Sequence, residues 1–202
     1  MGFIPLSAPT FLPRLDLDVR AGRFFLIERT QDAAGDWISS KVEIDKPKFV
    51  ADIANCGIGY TAFIDRKPDT VMQHCTDGMP NRPTPEHKEG FELILKMVGG
   101  DADGQLRSFG KQGIVIVRAF NELVDMWQAC PEASDPTKSP VVEVTGSAAV
   151  KTGQSSNYAP TWKIIKFVKR PTEFDAHLPM RAADMPQPDR SAYEPENDVV
   201  FT

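Results

Sequence analysis

The sequence predicts a mainly β domain that carries one helix. Three observations lead there. Short segments in which polar and apolar residues alternate recur along the chain. Only one stretch, 111–130, repeats apolar residues at steps of three and four, and glycines and prolines punctuate the rest.

Taken in order, residues 1–20 are broken by Pro5, Pro9 and Pro13 and are expected to lie as an arm across the body. Residues 21–29 read as a strand, with Arg23, Phe25, Ile27 and Arg29 on one face and Phe24, Leu26 and Glu28 on the other. A polar turn at 31–36 leads into a second strand over 37–44, which carries Val42 and Ile44. Residues 59–64 form a third candidate, with Tyr60 and Phe63 on opposite sides. The stretch 65–89 is polar, holds Pro68, Pro80, Pro83 and Pro85, and shows no clear periodicity; a structureless segment of that length is functional or disordered. A strand over 90–98 and a glycine-rich turn at 99–104 follow. Ile114, Val117, Phe120, Val124 and Trp127 define the helix, with Pro131 to stop it, and this stripe is expected to pack into the core. Because residues 114–117 also read as strand, the helix start is the least defined boundary. Two strands, 141–150 and 161–169, flank a small, polar, glycine-bearing connection at 151–160 that has the character of an exposed hairpin loop.

Charge divides the chain. Up to Arg170 it holds twenty-one basic and twenty-one acidic residues, so the net charge of −5 sits on residues 171–202, where seven acids face Arg181 and Arg190. That proline-interrupted tail has too little apolar surface to fold alone. The arm 1–20, a domain over 21–170 and an acidic disordered tail over 171–202 are therefore expected. At 202 residues, 41% hydrophobic and 25% charged, the chain suits one soluble domain. No apolar run approaches the ~20 residues of a membrane span. No secretory signal opens the chain, so a cytoplasmic location is expected. Cys56, Cys75 and Cys130 are odd in number and widely spaced, which speaks against a disulfide framework. His74, Cys75 and His87 lack the spacing of a zinc site, and neither a metal nor a cofactor is expected. Catalytic signatures of the Ser-His-Asp or Walker type do not occur, and Asp16/Asp18 and Asp101/Asp103 read as turn or strand-edge residues, so the chain is read as non-enzymatic.

Strands, then one helix, then a two-stranded hairpin is the serial order of an OB-like five-stranded Greek-key barrel, one face of which binds oligonucleotides. Four candidate strands precede the helix where that barrel has three. The segment 37–44 would then extend a long bent first strand, or 59–64 would decorate the barrel. A small α+β sheet with one covering helix is the alternative. With its acidic, Phe-bearing terminus, the chain over about 21–202 resembles, in architecture, the single-stranded DNA-binding proteins of bacterial and phage replication. The resemblance implies that an OB barrel holds the strand while Glu196, Asp198 and Phe201 recruit replication or recombination proteins. The tail is less acidic than is usual in that family, and Thr202 follows the Phe.

Sequence-tolerant binding of single strands needs cations along the phosphates and flat side chains against the bases. Residues 161–170 supply both. Strict alternation puts Lys163, Ile165, Phe167 and Lys169 on one face and Trp162, Ile164, Lys166, Val168 and Arg170 on the other, with Trp162 read as a barrel residue and Phe167 as the better stacking candidate. Arg23, Phe25 and Arg29 form a matching set on the first strand, and Lys151 with Tyr158 in the hairpin loop could close over a strand. Single-stranded DNA is thus the expected partner, with no membrane, and self-association is compatible with the sequence. A structural or assembly protein, for instance of a phage particle, whose arm and tail bind neighbouring subunits, is the alternative function.

Overall fold

A computed structural model of the chain describes residues 12–31, 35–65, 67–153 and 155–184. Its elements are β1 (Arg14–Asp18), β2 (Arg23–Gln31), β3 (Trp37–Ile44), β4 (Lys48–Ala51), β5 (Gly57–Ile64), β6 (Lys67–His74), β7 (Lys88–Met97), β8 (Leu106–Gln112), α1 (Ile114–Gln128), β9 (Lys138–Thr152) and β10 (Ser155–Lys169). The fold is mainly β with one α-helix, as expected, but the ten strands join in one sheet. Its order is β10-β9-β4-β7-β8-β1-β2-β3, and β5 pairs with both β7 and β6. All pairings are antiparallel except β1 with β8. No described helix is long and apolar enough to cross a membrane.

The sheet curls around its inner face. Trp162 of β10 lies 6.5 Å, ring to ring, from both Phe24 of β2 and Phe49 of β4, and 6.4 Å from Phe109 of β8. The amide of Tyr158 donates to the carbonyl of Val19 at 2.6 Å, so the β10 margin meets the β1–β2 turn. Helix α1 covers this core through Ile116, Ala119, Phe120 and Leu123, and Phe120 stacks on Phe91 at 4.0 Å. The indole N–H of Trp162 donates to the Ala119 carbonyl at 2.8 Å, which satisfies the one polar group that this large side chain carries inside. The helix starts after Gly113, which has φ of 105°, so residues 111–112 end β8 instead of opening the helix. Ile114 is 60% exposed, and the buried stripe is shifted to Val115, Ile116, Ala119, Phe120 and Leu123.

A smaller apolar cluster lies on the outer face, where Val50, Ile94 and Val141 are capped by Phe174 from a 3-10 turn over Thr172–His177. Arg170 anchors this turn: its Nη2 lies 2.7 Å from Asp52 Oδ2, its Nη1 lies 2.5 Å from Asp175 Oδ1, and its guanidinium is 5.7 Å from the Phe174 ring. Further along, the carbonyl of Met180 accepts from the His74 amide at 3.0 Å, and Arg181 pairs with Asp77 at 3.2 Å.

Several expectations are thereby corrected. The arm over 1–20 contains a true strand: Leu15 and Leu17 of β1 are fully buried, and β1 joins β8 to β2. The segment expected to open a disordered tail at residue 171 instead lies as a strap over the sheet as far as residue 182, held by the buried Phe174 ring, the Arg170–Asp175 and Arg181–Asp77 ion pairs and the Ala182 amide on Asp77. The irregular stretch 65–89 holds β6, which pairs with β5 along its whole length. Of the hairpin loop expected at 151–160, residues 151–152 and 155–160 are strand, so β9 and β10 run as fifteen-residue partners.

Candidate nucleic-acid interface

A groove of about 810 Å³ crosses the outer face over β7 and β8. One wall is the β5–β6 hairpin, with Thr61, Phe63, Pro68, Thr70 and Met72; the other elements around it are β1 and the strap residues His177, Leu178 and Pro179. Its position follows from the register. Gly59 of β5 lies opposite Gly90 of β7, so neither strand contributes a side chain at that pair, and Met72 and Gln112 pack beside it. A Cβ at Gly59 would lie 2.0 Å from the Val71 carbonyl oxygen of β6, so only glycine fits where β5 and β6 approach so closely. Two positions along β5, past Thr61, Phe63 stands 68% exposed.

Arg14 and Lys111 bring positive charge to the groove, against Glu92. Lys111 Nζ is 2.6 Å from Asp16 Oδ1, and Arg14 donates to the Gly110 carbonyl at 3.5 Å. Lys88, opposite Thr61 on β7, adds an exposed cation beside the hairpin wall. The side-chain oxygen of Gln112, also in the lining, is buried with no donor among the described residues. An exposed ring and cations lining one groove can take a base on the ring and phosphates on the cations.

The structure sorts the residues expected from the sequence. Arg23, Phe25 and Arg29 lie on β2, and the β1 register sets Arg14 opposite Ile27 and Asp16 opposite Phe25. Their face therefore continues that of the groove. Phe25 is half-buried beneath Lys41, whose Nζ is 3.8 Å from the ring centre, and Arg23 pairs with Glu43 at 3.4 Å. Tyr158 is a half-buried strand residue beside Gly22, and its amide donates to the carbonyl of Val19, a residue of the groove lining; Tyr158 itself does not line the groove. Lys151 is exposed near the tip of the same hairpin, opposite Ser156.

The last-strand set is not brought to the groove. A register shift between Ile164 and Lys166 breaks the alternation expected along β10. Lys163 faces Glu143 and Lys166 faces Val141, both on the outer face, whereas Phe167 is paired with Pro140 and is half-buried. Lys169 stands opposite Lys138 at the far end. The Phe174 cluster lies between this set and the groove. Glu196, Asp198 and Phe201 lie outside the described residues. Among the described residues no group of three His, Cys, Asp or Glu could hold a metal ion.

Sequence reasoning missed Arg14, Phe63 and Lys111 as groove residues. Arg14 lay in the expected arm and Lys111 in the expected helix. For Phe63 a signal existed: an aromatic at the end of a strand, on the same face as two glycines. No protein-family model matches the chain, and no curated protein or solved structure matches it either.

Proposed function

We propose that the protein is a non-enzymatic, OB-type single-stranded DNA-binding protein that carries its strand in the groove over β7 and β8. Within the ten-stranded sheet, β4, β7, β8, β9 and β10 lie in the order β10-β9-β4-β7-β8, with α1 between β8 and β9 in the chain. That is the order of a five-stranded Greek-key barrel with its helix after the third strand. The β5–β6 hairpin is then an enlarged loop between the first and second barrel strands, and the β9–β10 tip is the loop between the fourth and fifth. In this fold the face of strands two and three, flanked by those loops, binds oligonucleotides. The observation that carries the reading is the coincidence of that face with a groove lined by the exposed Phe63 ring, Arg14 and Lys111. The acidic tail is proposed to recruit replication or recombination proteins through Glu196, Asp198 and Phe201.

Fluorescence anisotropy with oligo(dT) and with duplex of equal length tests the reading. Oligo(dT) is expected to bind in preference to duplex, with log Kd rising by about 0.7 per phosphate neutralised for each tenfold rise in salt. Phe63→Ala is expected to weaken binding by ~1–3 kcal/mol, the worth of one base stack. Lys163→Ala, across the Phe174 cluster, should leave it nearly unchanged. Absence of oligo(dT) binding at low salt would overturn the proposal and favour the assembly role.

A further inference from the structure

Cys56 and Cys75 stand at the base of the β5–β6 hairpin. They lie one residue beyond the Gly57–His74 pair that ends the ladder, and the amide of Cys75 still donates to the carbonyl of Cys56 at 2.9 Å, as across an antiparallel pair. Directly opposed residues of an antiparallel pair have Cα atoms about 4.5–5.5 Å apart. That lies within the span of about 4.4–6.8 Å that disulfides bridge. Both residues are free thiols, and each shifts the titration of the other.

We propose that Cys56 and Cys75 are a redox pair that a hydroperoxide closes into a disulfide, with Cys75 as the attacking thiol and Cys56 as the resolving one. The roles follow from the surroundings. Cys75 is half-buried and opens a 3-10 turn, whereas Cys56 is only 4% exposed, so an oxidant reaches Cys75 first. The Cys75 thiol donates to the Ala54 carbonyl at 3.4 Å, and the nearby Cys56 thiol, with backbone amides, outweighs burial and lowers the Cys75 pKa to about 7. The same proximity, with burial, pushes the Cys56 thiol up, so Cys56 keeps its proton while Cys75 loses its own.

The Cys75 thiolate attacks one oxygen of the hydroperoxide, the O–O bond breaks, and its electron pair leaves with the other oxygen, which is protonated to an alcohol or water. Cys75 is then a sulfenic acid. The Cys56 sulfur attacks the Cys75 sulfur, the S–S bond forms, and the S–O bond breaks. The hydroxide released takes the Cys56 proton and leaves as water. Two thiols lose two electrons in all, and the peroxide gains them. Cys130, which donates to the Met126 carbonyl at 3.3 Å beyond the helix, stands apart from the pair.

Full-length reduced protein treated with hydrogen peroxide, then alkylated and weighed, tests the assignment. Wild type is expected to lose two hydrogens, to keep one alkylatable thiol at Cys130, and to yield a cross-linked Cys56–Cys75 peptide. Cys56→Ala is expected to stop at a Cys75 sulfenic acid that dimedone captures, and Cys75→Ser to lose the fast reaction. Peptide mapping of wild type needs no variant to fold. Three alkylatable thiols after treatment, or a cross-link through Cys130, would overturn the proposal.

Discussion

His74 ends β6 and works as a neutral acceptor. Its Nδ1 accepts from the Thr76 amide at 3.2 Å, which caps the following turn, and its Nε2–H is then left to donate to Asn55 Oδ1 at 3.2 Å. Asn55 is itself oriented by Asp52 at 2.9 Å, and Arg181 pairs with the same turn at Asp77. Burial, then the Arg181 charge, lower the His74 pKa below its ordinary 6.5, against the pull of Asp77 and Asp52. The unfolded chain therefore binds the proton at a higher pH than the folded one, and stability rises with pH across that interval. The contribution is whole above pH 6.5 and is lost as pH falls toward and through the lowered folded value. A His74 imidazole C–H resonance that titrates with a midpoint below 6.5 is the expected outcome. In His74→Gln the fall in melting temperature between pH 7 and 5 is expected to be shallower. A midpoint at or above 6.5 would mean that the ring is held as a cation instead.

The strap over residues 171–182 is a short element whose hold on the sheet centres on Phe174, fully buried among Val50, Ile94 and Val141. Phe174→Ala is expected to cost about 3–5 kcal/mol, the range for truncating a buried aromatic. The same change should loosen the groove wall at His177, Leu178 and Pro179, read as faster proteolysis within the strap. An unchanged melting temperature would show that the strap rests on the sheet without supporting it. Elements with a long, uniform pattern were legible in the sequence: α1, β2, β3, β5, β7 and the parts of β9 and β10 away from their connection. Those whose pattern is interrupted were not. β1 offers only Leu15 and Leu17 between acids, and β4 is four residues long. Along β8 the inward positions include Arg107, which is buried because Glu28 and Gln105 receive it, so its alternation reads backwards. The strap was hidden because its acids signal solvation, while its single anchoring ring depends on Arg170 and Asp52, far apart in the chain. The site was half legible for the same reason. Arg23, Phe25 and Arg29 sit on a regular strand, but the bulge in β10 that separates Lys163 and Phe167 leaves no mark in the sequence.

At the scale of the whole molecule, net charge sets how strongly the groove attracts a polyanion. Residues 185–202, beyond the described strap, hold Asp189, Glu194, Glu196 and Asp198 against Arg190. Deleting them moves the chain by three charges, from −5 to −2, and removes no residue of the sheet, the helix or the strap. On the proposed reading, the acidic tail and a nucleic-acid strand are both anionic and would compete for the same cations, Arg14 and Lys111 among them. Truncation after Asp184 is therefore expected to leave the melting temperature unchanged and to tighten oligo(dT) binding at low salt. The gain should shrink as salt rises, because beyond a Debye length of about 10 Å at 0.1 M the tail's charges no longer reach the groove. Titrations of the full and truncated chains across a salt series separate the outcomes. A gain that is independent of salt would mean that the tail blocks the groove by contact instead of by charge. Equal affinity at every salt concentration would confine the tail to solubility or partner recruitment.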